Sequence, residues 1–64
     1  MKLRELLNTI GEDAQFRIFV GCMTIFNGNK SDISEKEWNL NVLPYMNCRV
    51  IKHREINGVV VIYI

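Results

Sequence analysis

Leu3, Leu6, Leu7 and Ile10 place apolar side chains at i, i+3, i+4 and i+7. That spacing predicts a helix buried along one stripe, with Lys2, Arg4, Glu5, Asn8 and Thr9 on its other side. Gly11 stands where a C-terminal cap is expected. The period then drops to two. In "QFRIFV", Phe16, Ile18 and Val20 alternate with Gln15, Arg17 and Phe19, which predicts a strand. Gly21 interrupts it, "CMTIF" supplies a second run, and "NGN" at 27–29 closes that run. A hairpin turning at Gly21 and Cys22 is preferred over one long strand bulged at Gly21.

The second half repeats the order. Ser34 and Glu37 form an S-x-x-E capping box, with Ile33 and Trp38 placed for a hydrophobic staple. A helix of one or two turns is predicted from Ser34 to about Asn41, with Trp38, Val42 and Leu43 toward the core and Pro44 ending it. "MNCRVIKHRE" reads as a strand, and Asn57-Gly58 predicts a two-residue hairpin turn. In that register Ile56 opposes Val59, Arg54 opposes Val61, His53 opposes Ile62 and Ile51 opposes Ile64. The first arm is charged near the turn, whereas "VVVIYI" is apolar throughout. The last strand is therefore expected inside the sheet, with the charged arm nearer an edge. The order α-β-β-α-β-β predicts an α+β fold, a single domain over 1–64 with a small antiparallel sheet of about four strands and two short helices.

Length makes the apolar ending matter. A chain of 64 residues buries only about 60% of the surface it exposes when unfolded, and chains this small often need a disulfide, a metal or a partner. Two short helices cover one face of a sheet, so the last strand predicts a homo-oligomer, a dimer first, formed through sheet faces or edges. Phe19, Val59, Val61 and Tyr63 are the candidate self- or partner-interface residues, because exposed aromatic and apolar groups mark interfaces. Composition adds exclusions. Hydrophobic residues make up 48% of the chain, which favours folding over disorder, and the net charge of +1 gives no bulk attraction for polyanions. Two cysteines are too few for a disulfide scaffold, so Cys22 and Cys48 are read as reduced, small, buried side chains. The charged start and the lack of an apolar run of about 18 residues predict no signal peptide, no membrane span and a cytoplasmic location.

Candidate chemistry is sparse. His53 and Glu55 share a strand face but lack the pocket and orienting partner a general acid or base needs. Cys22, Cys48 and His53, with Asp32 or Glu35, lack the paired spacing of a zinc site, and "NGNKSD" lacks the second glycine of a phosphate-binding loop. No cofactor, metal or catalytic residue is assigned, and the chain is not read as an enzyme. Arg49, Lys52 and Arg54 are candidate phosphate or nucleic-acid contacts. Alternation puts Arg49 and His53 on one face and Lys52 and Arg54 on the other, so protection of an exposed edge is the first reading.

Several segments resemble small proteins from phages, prophages and mobile elements of Gram-positive bacteria. The pieces are the LxELL-type helix with Leu3, Glu5, Leu6 and Leu7, the acidic turn Glu12-Asp13, and Arg17-Ile18 in the first strand. A G-x-x-S-D-I segment from Gly28 to Ile33, Val50, and the terminal apolar strand complete the likeness. Cys22, Cys48, Trp38 and "RVIKHR" depart from it. The resemblance implies an accessory protein, of a class that includes inhibitors of host defence such as anti-CRISPR proteins, and brings no catalytic motif. Three roles follow. The first is a non-enzymatic interaction protein that modulates or inhibits a host protein. The second is a nucleic-acid-binding accessory protein using the basic strand. The third is a small-molecule binder or enzyme with its site at an oligomer interface.

Overall fold

The computed structural model describes residues 1–64. Leu3–Leu7 form helix α1, and its stripe does what the spacing predicts: Leu3, Leu6, Leu7 and Ile10 are all buried. A helix this short is not held by propensity. At its start, Glu5 Oε1 accepts from the Lys2 backbone N–H at 3.0 Å. At its end, Asn8 rather than Gly11 is the cap residue. The ammonium of Lys30 donates to the carbonyls of Leu7 and Ile10, the latter at 2.7 Å. A lysine from a distant loop thus satisfies carbonyls that a left-handed glycine was expected to help close.

Gln15–Val20 form β1 and Met23–Gly28 form β2. They make the expected hairpin, with Gly21 at φ +59° opening the two-residue turn, as a type II′ turn requires. The bulge lies elsewhere: Ile18 pairs with Phe26 and Phe19 with Thr24, leaving Ile25 as the extra residue of β2. This puts Phe26 in the core, stacked on Phe16 with ring centroids 4.6 Å apart.

Glu35–Asn41 form α2, and Ser34 Oγ accepts from the Glu37 N–H at 3.2 Å. Val42 is fully buried, and Trp38 meets Phe26 edge-on with centroids 6.3 Å apart. Leu43 does not face the core as expected. Pro44 sits in a short 3-10 turn, Leu43–Tyr45, and Leu43 is left 52% exposed.

Lys52–Ile56 form β3 and Val59–Tyr63 form β4. The turn between them has positive φ at both Asn57 (51°) and Gly58 (81°), the type I′ geometry that the dipeptide favours. The register is as predicted, from Ile56 opposite Val59 to His53 opposite Ile62. The strand expected from Met46 onward is shorter. Residues 46–50 instead wrap the start of α1, with Leu3 N–H donating to the Cys48 carbonyl and Val50 N–H to that of Met1, both at 2.9 Å.

The strand order is β2-β1-β4-β3. The apolar last strand is therefore central and the charged β3 is an edge, as its composition predicts. One relation differs: β4 runs parallel to β1, so the sheet is mixed rather than wholly antiparallel. Each hairpin is antiparallel within itself, and the parallel pair arises where the hairpins join through their more apolar arms. Both helices pack on one side, where Leu3, Leu6, Leu7, Ile10, Phe16, Ile18, Phe26, Val42 and Ile62 form a single core.

Fully burying a Leu, Ile, Val or Phe side chain contributes about 1.5–3 kcal/mol, so stability concentrates in this layer. Ile62→Val is expected to lower unfolding free energy by about 0.5–1.5 kcal/mol in urea titrations. Ile51→Val, at a position 75% exposed, is expected to change it by less than about 0.5 kcal/mol.

Candidate functional site on the uncovered sheet face

Alternation sends every second residue of the sheet away from the helices. Three rows result on that side, read across neighbouring strands from the pairing register. Asn27, Arg17, Val61 and Arg54 form one row, and Thr24, Phe19, Tyr63 and Lys52 form the next. Gln15, Val59 and Ile56 form the third. No helix covers these rows. The four residues read from the sequence as a candidate interface, Phe19, Val59, Val61 and Tyr63, all fall on this face.

The apolar tail needs less cover than its length suggests. Val60 and Ile62 point into the core side, and Ile64 packs against it. Of the other three, Val61 is only 7% exposed although no layer lies over it. Its register neighbours are Arg17 and Arg54, whose aliphatic stems are long enough to shield it while their guanidinium groups stay in water. Val59 and Tyr63 are half-buried.

The second row holds the aromatic contacts of the face. The Phe19 and Tyr63 rings stack across β1 and β4 with centroids 5.3 Å apart and planes 16° from parallel. Lys52, on the opposite flank of β4, holds its ammonium 4.8 Å from the Tyr63 centroid. One π face of Tyr63 is therefore against Phe19 and the other against the cation. An exposed cation–π contact of this kind contributes only about 0.5–1 kcal/mol. The remaining face of Phe19 looks toward β2, where its register partner is the small, exposed Thr24.

Charge on this face has one sign. Arg17, Lys52 and Arg54 are exposed, and none of the strand residues on this side is acidic. Glu55 lies on the opposite side of β3, in register with Val60. The structure thus keeps Lys52 and Arg54 together and removes Arg49 from the candidate basic set. Arg49 lies outside β3, where its backbone pairs with that of Lys2 at the start of α1. In its place comes Arg17, which sequence reasoning missed as a partner of the other two. Its only sequence signal was its shared alternation phase with Phe19.

Other candidates do not assemble. His53 and Glu55 are exposed, in an open groove beside Thr9 and Ile10. Cys22 and Cys48 are free and exposed rather than buried, because one occupies a hairpin turn and the other the loop that wraps α1. No group of three or more His, Cys, Asp or Glu side chains is placed to hold a metal. Lys30, unmarked by the sequence reading, lines a groove with Trp38 and Met46, but its ammonium is engaged by the α1 carbonyls. No helix is long and apolar enough to cross a membrane. Comparison with protein-family models, with curated proteins and with solved structures found no match.

The ring pair should be measurable as a coupling. A double-mutant cycle of Phe19→Ala and Tyr63→Ala, followed by urea unfolding, is expected to give an interaction energy of about 0.5–1.5 kcal/mol. Additive losses would show that the stack contributes nothing beyond buried area.

Proposed function

We propose that this chain is a non-enzymatic interaction protein that binds its partner through the uncovered face of the sheet. One observation carries the reading. The face presents a stacked aromatic pair beside three exposed cations, while the chain's own helices pack on the opposite face. Aromatic rings and arginine side chains gathered on one exposed face are the residue types enriched at binding surfaces. The candidate polar residues elsewhere remain dispersed, which favours this role over a catalytic one. The resemblance to mobile-element accessory proteins supports a setting in which such binding modulates a host component.

Immobilised protein, challenged with host lysate, tests the reading by comparing variants. Arg17→Glu combined with Phe19→Ser, both on the open face, is expected to reduce partner retention by about tenfold or more. Lys36→Glu, on an exposed position of α2, is expected to leave it unchanged. Equal retention by all three proteins would count against the open face as the binding element.

A further inference from the structure

The open face carries a more specific partner assignment, which rests on reading that face as the binding element. Its charge pattern selects among occupants. Three exposed cations and no acidic strand residue do not complement a second copy laid face to face, since a twofold contact would bring like charges together. The same pattern complements a polyanion. Lys52 and Arg54 occupy successive same-face positions of β3, about 6.7 Å apart along the strand, a separation suited to successive phosphates of an extended strand. Arg17 lies across β4 from Arg54.

Beside these cations stands a π surface. The Phe19–Tyr63 stack ends on the β2 side in a ring face bordered by Thr24. A flat base can extend the stack there. On the other side, the Lys52 ammonium over Tyr63 is held by a weaker contact than base stacking supplies. Lys52 can therefore leave the ring for a phosphate and free a second stacking position. A folded acidic protein surface would use the cations but has no general need of the half-buried ring faces of an aromatic stack. Single-stranded nucleic acid uses both.

We propose that the uncovered sheet face binds single-stranded nucleic acid, with Arg17, Lys52 and Arg54 neutralising phosphates and Phe19 and Tyr63 stacking bases. Stacking makes recognition tolerant of sequence, because every base has a π face.

Fluorescence anisotropy with labelled oligo-dT and oligo-U of roughly twelve nucleotides provides the test, between about 50 and 200 mM salt. Binding is expected to weaken with salt, with a log–log slope of about −2 for three neutralised phosphates. Arg17→Ala and Arg54→Ala should each reduce the magnitude of that slope by about 0.7. Phe19→Leu, which keeps an apolar side chain but removes the flat ring, should weaken binding about tenfold at an unchanged slope. Circular dichroism and urea midpoints would establish that each variant is folded.

Inorganic polyphosphate serves as a competitor. If it displaces the oligonucleotide at equal phosphate concentration and Phe19→Leu has no effect, the face is a generic anion surface and the stacking assignment is overturned. No anisotropy change at low salt would overturn the whole inference. Sedimentation of the wild-type protein and of Arg17→Glu/Phe19→Ser then separates the two levels. Self-association abolished by that variant would leave the open face as a binding element with another copy as occupant. A monomer in both cases, together with lysate retention independent of the open face, would reject the open-face reading as well.

Discussion

β4 is hydrogen-bonded along both of its edges, to β1 on one side and to β3 on the other, and the rest of the domain depends on that insertion. A strand with both edges paired loses the solvation of all its backbone groups, so its residues must be ones that gain from burial. "VVVIY" meets the condition on both faces. The two hairpins are each local in sequence, but a lone two-stranded hairpin is marginally stable at best. Their union through β1 and β4 makes them one sheet, and it gives the core its centre, where Phe16, Ile18 and Ile62 are fully buried.

The same union produces an asymmetry. The chain has two helices, one of five residues and one of seven, and both lie on the same side of the sheet. They cover the centre of that side with an apolar layer, leaving β3's His53 and Glu55 exposed in an open groove. The other side is left to protect itself, and it does so with long side chains. Arg17 and Arg54 flank Val61, while Lys52 and Phe19 flank Tyr63. The arrangement keeps Val61 buried without a second layer, and it also gathers positive charge and π surface in one place. Structural shielding and the proposed binding function thus draw on the same residues. For that reason the charge-dependent readout is more informative than loss of binding alone.

Ends and loops follow a different logic from the sheet. α1 is too short to persist by itself, and it is tied down by contacts distant in sequence: Lys30 at its last carbonyls and the 46–50 segment at its first turn. Long-range polar contacts of this kind leave little trace in local pattern. Lys30 appeared only as one residue of a turn-rich loop. Residues 46–50, read as the start of a strand, are diverted because pairing with Met1 and Lys2 satisfies their backbone at the edge of the core.

The sequence by itself determined the elements and their faces. The helical stripe, the Asn57-Gly58 hairpin with its register, the Ser34 cap, the central place of the apolar last strand and the edge position of charged β3 were all legible. They are local or depend on a periodicity that survives any tertiary arrangement. Phe19, Val59, Val61 and Tyr63 could be named as one candidate surface for the same reason. Only the tertiary structure decided that β1 and β4 run parallel, since alternation is identical in either direction. It alone decided that Arg17 joins Lys52 and Arg54 while Arg49 departs, because cross-strand neighbours are set by register between segments more than thirty residues apart. The bulge at Ile25 was likewise hidden, and it is what brings Thr24 beside Phe19. A surface whose charges come from different strands becomes visible only once those strands are paired.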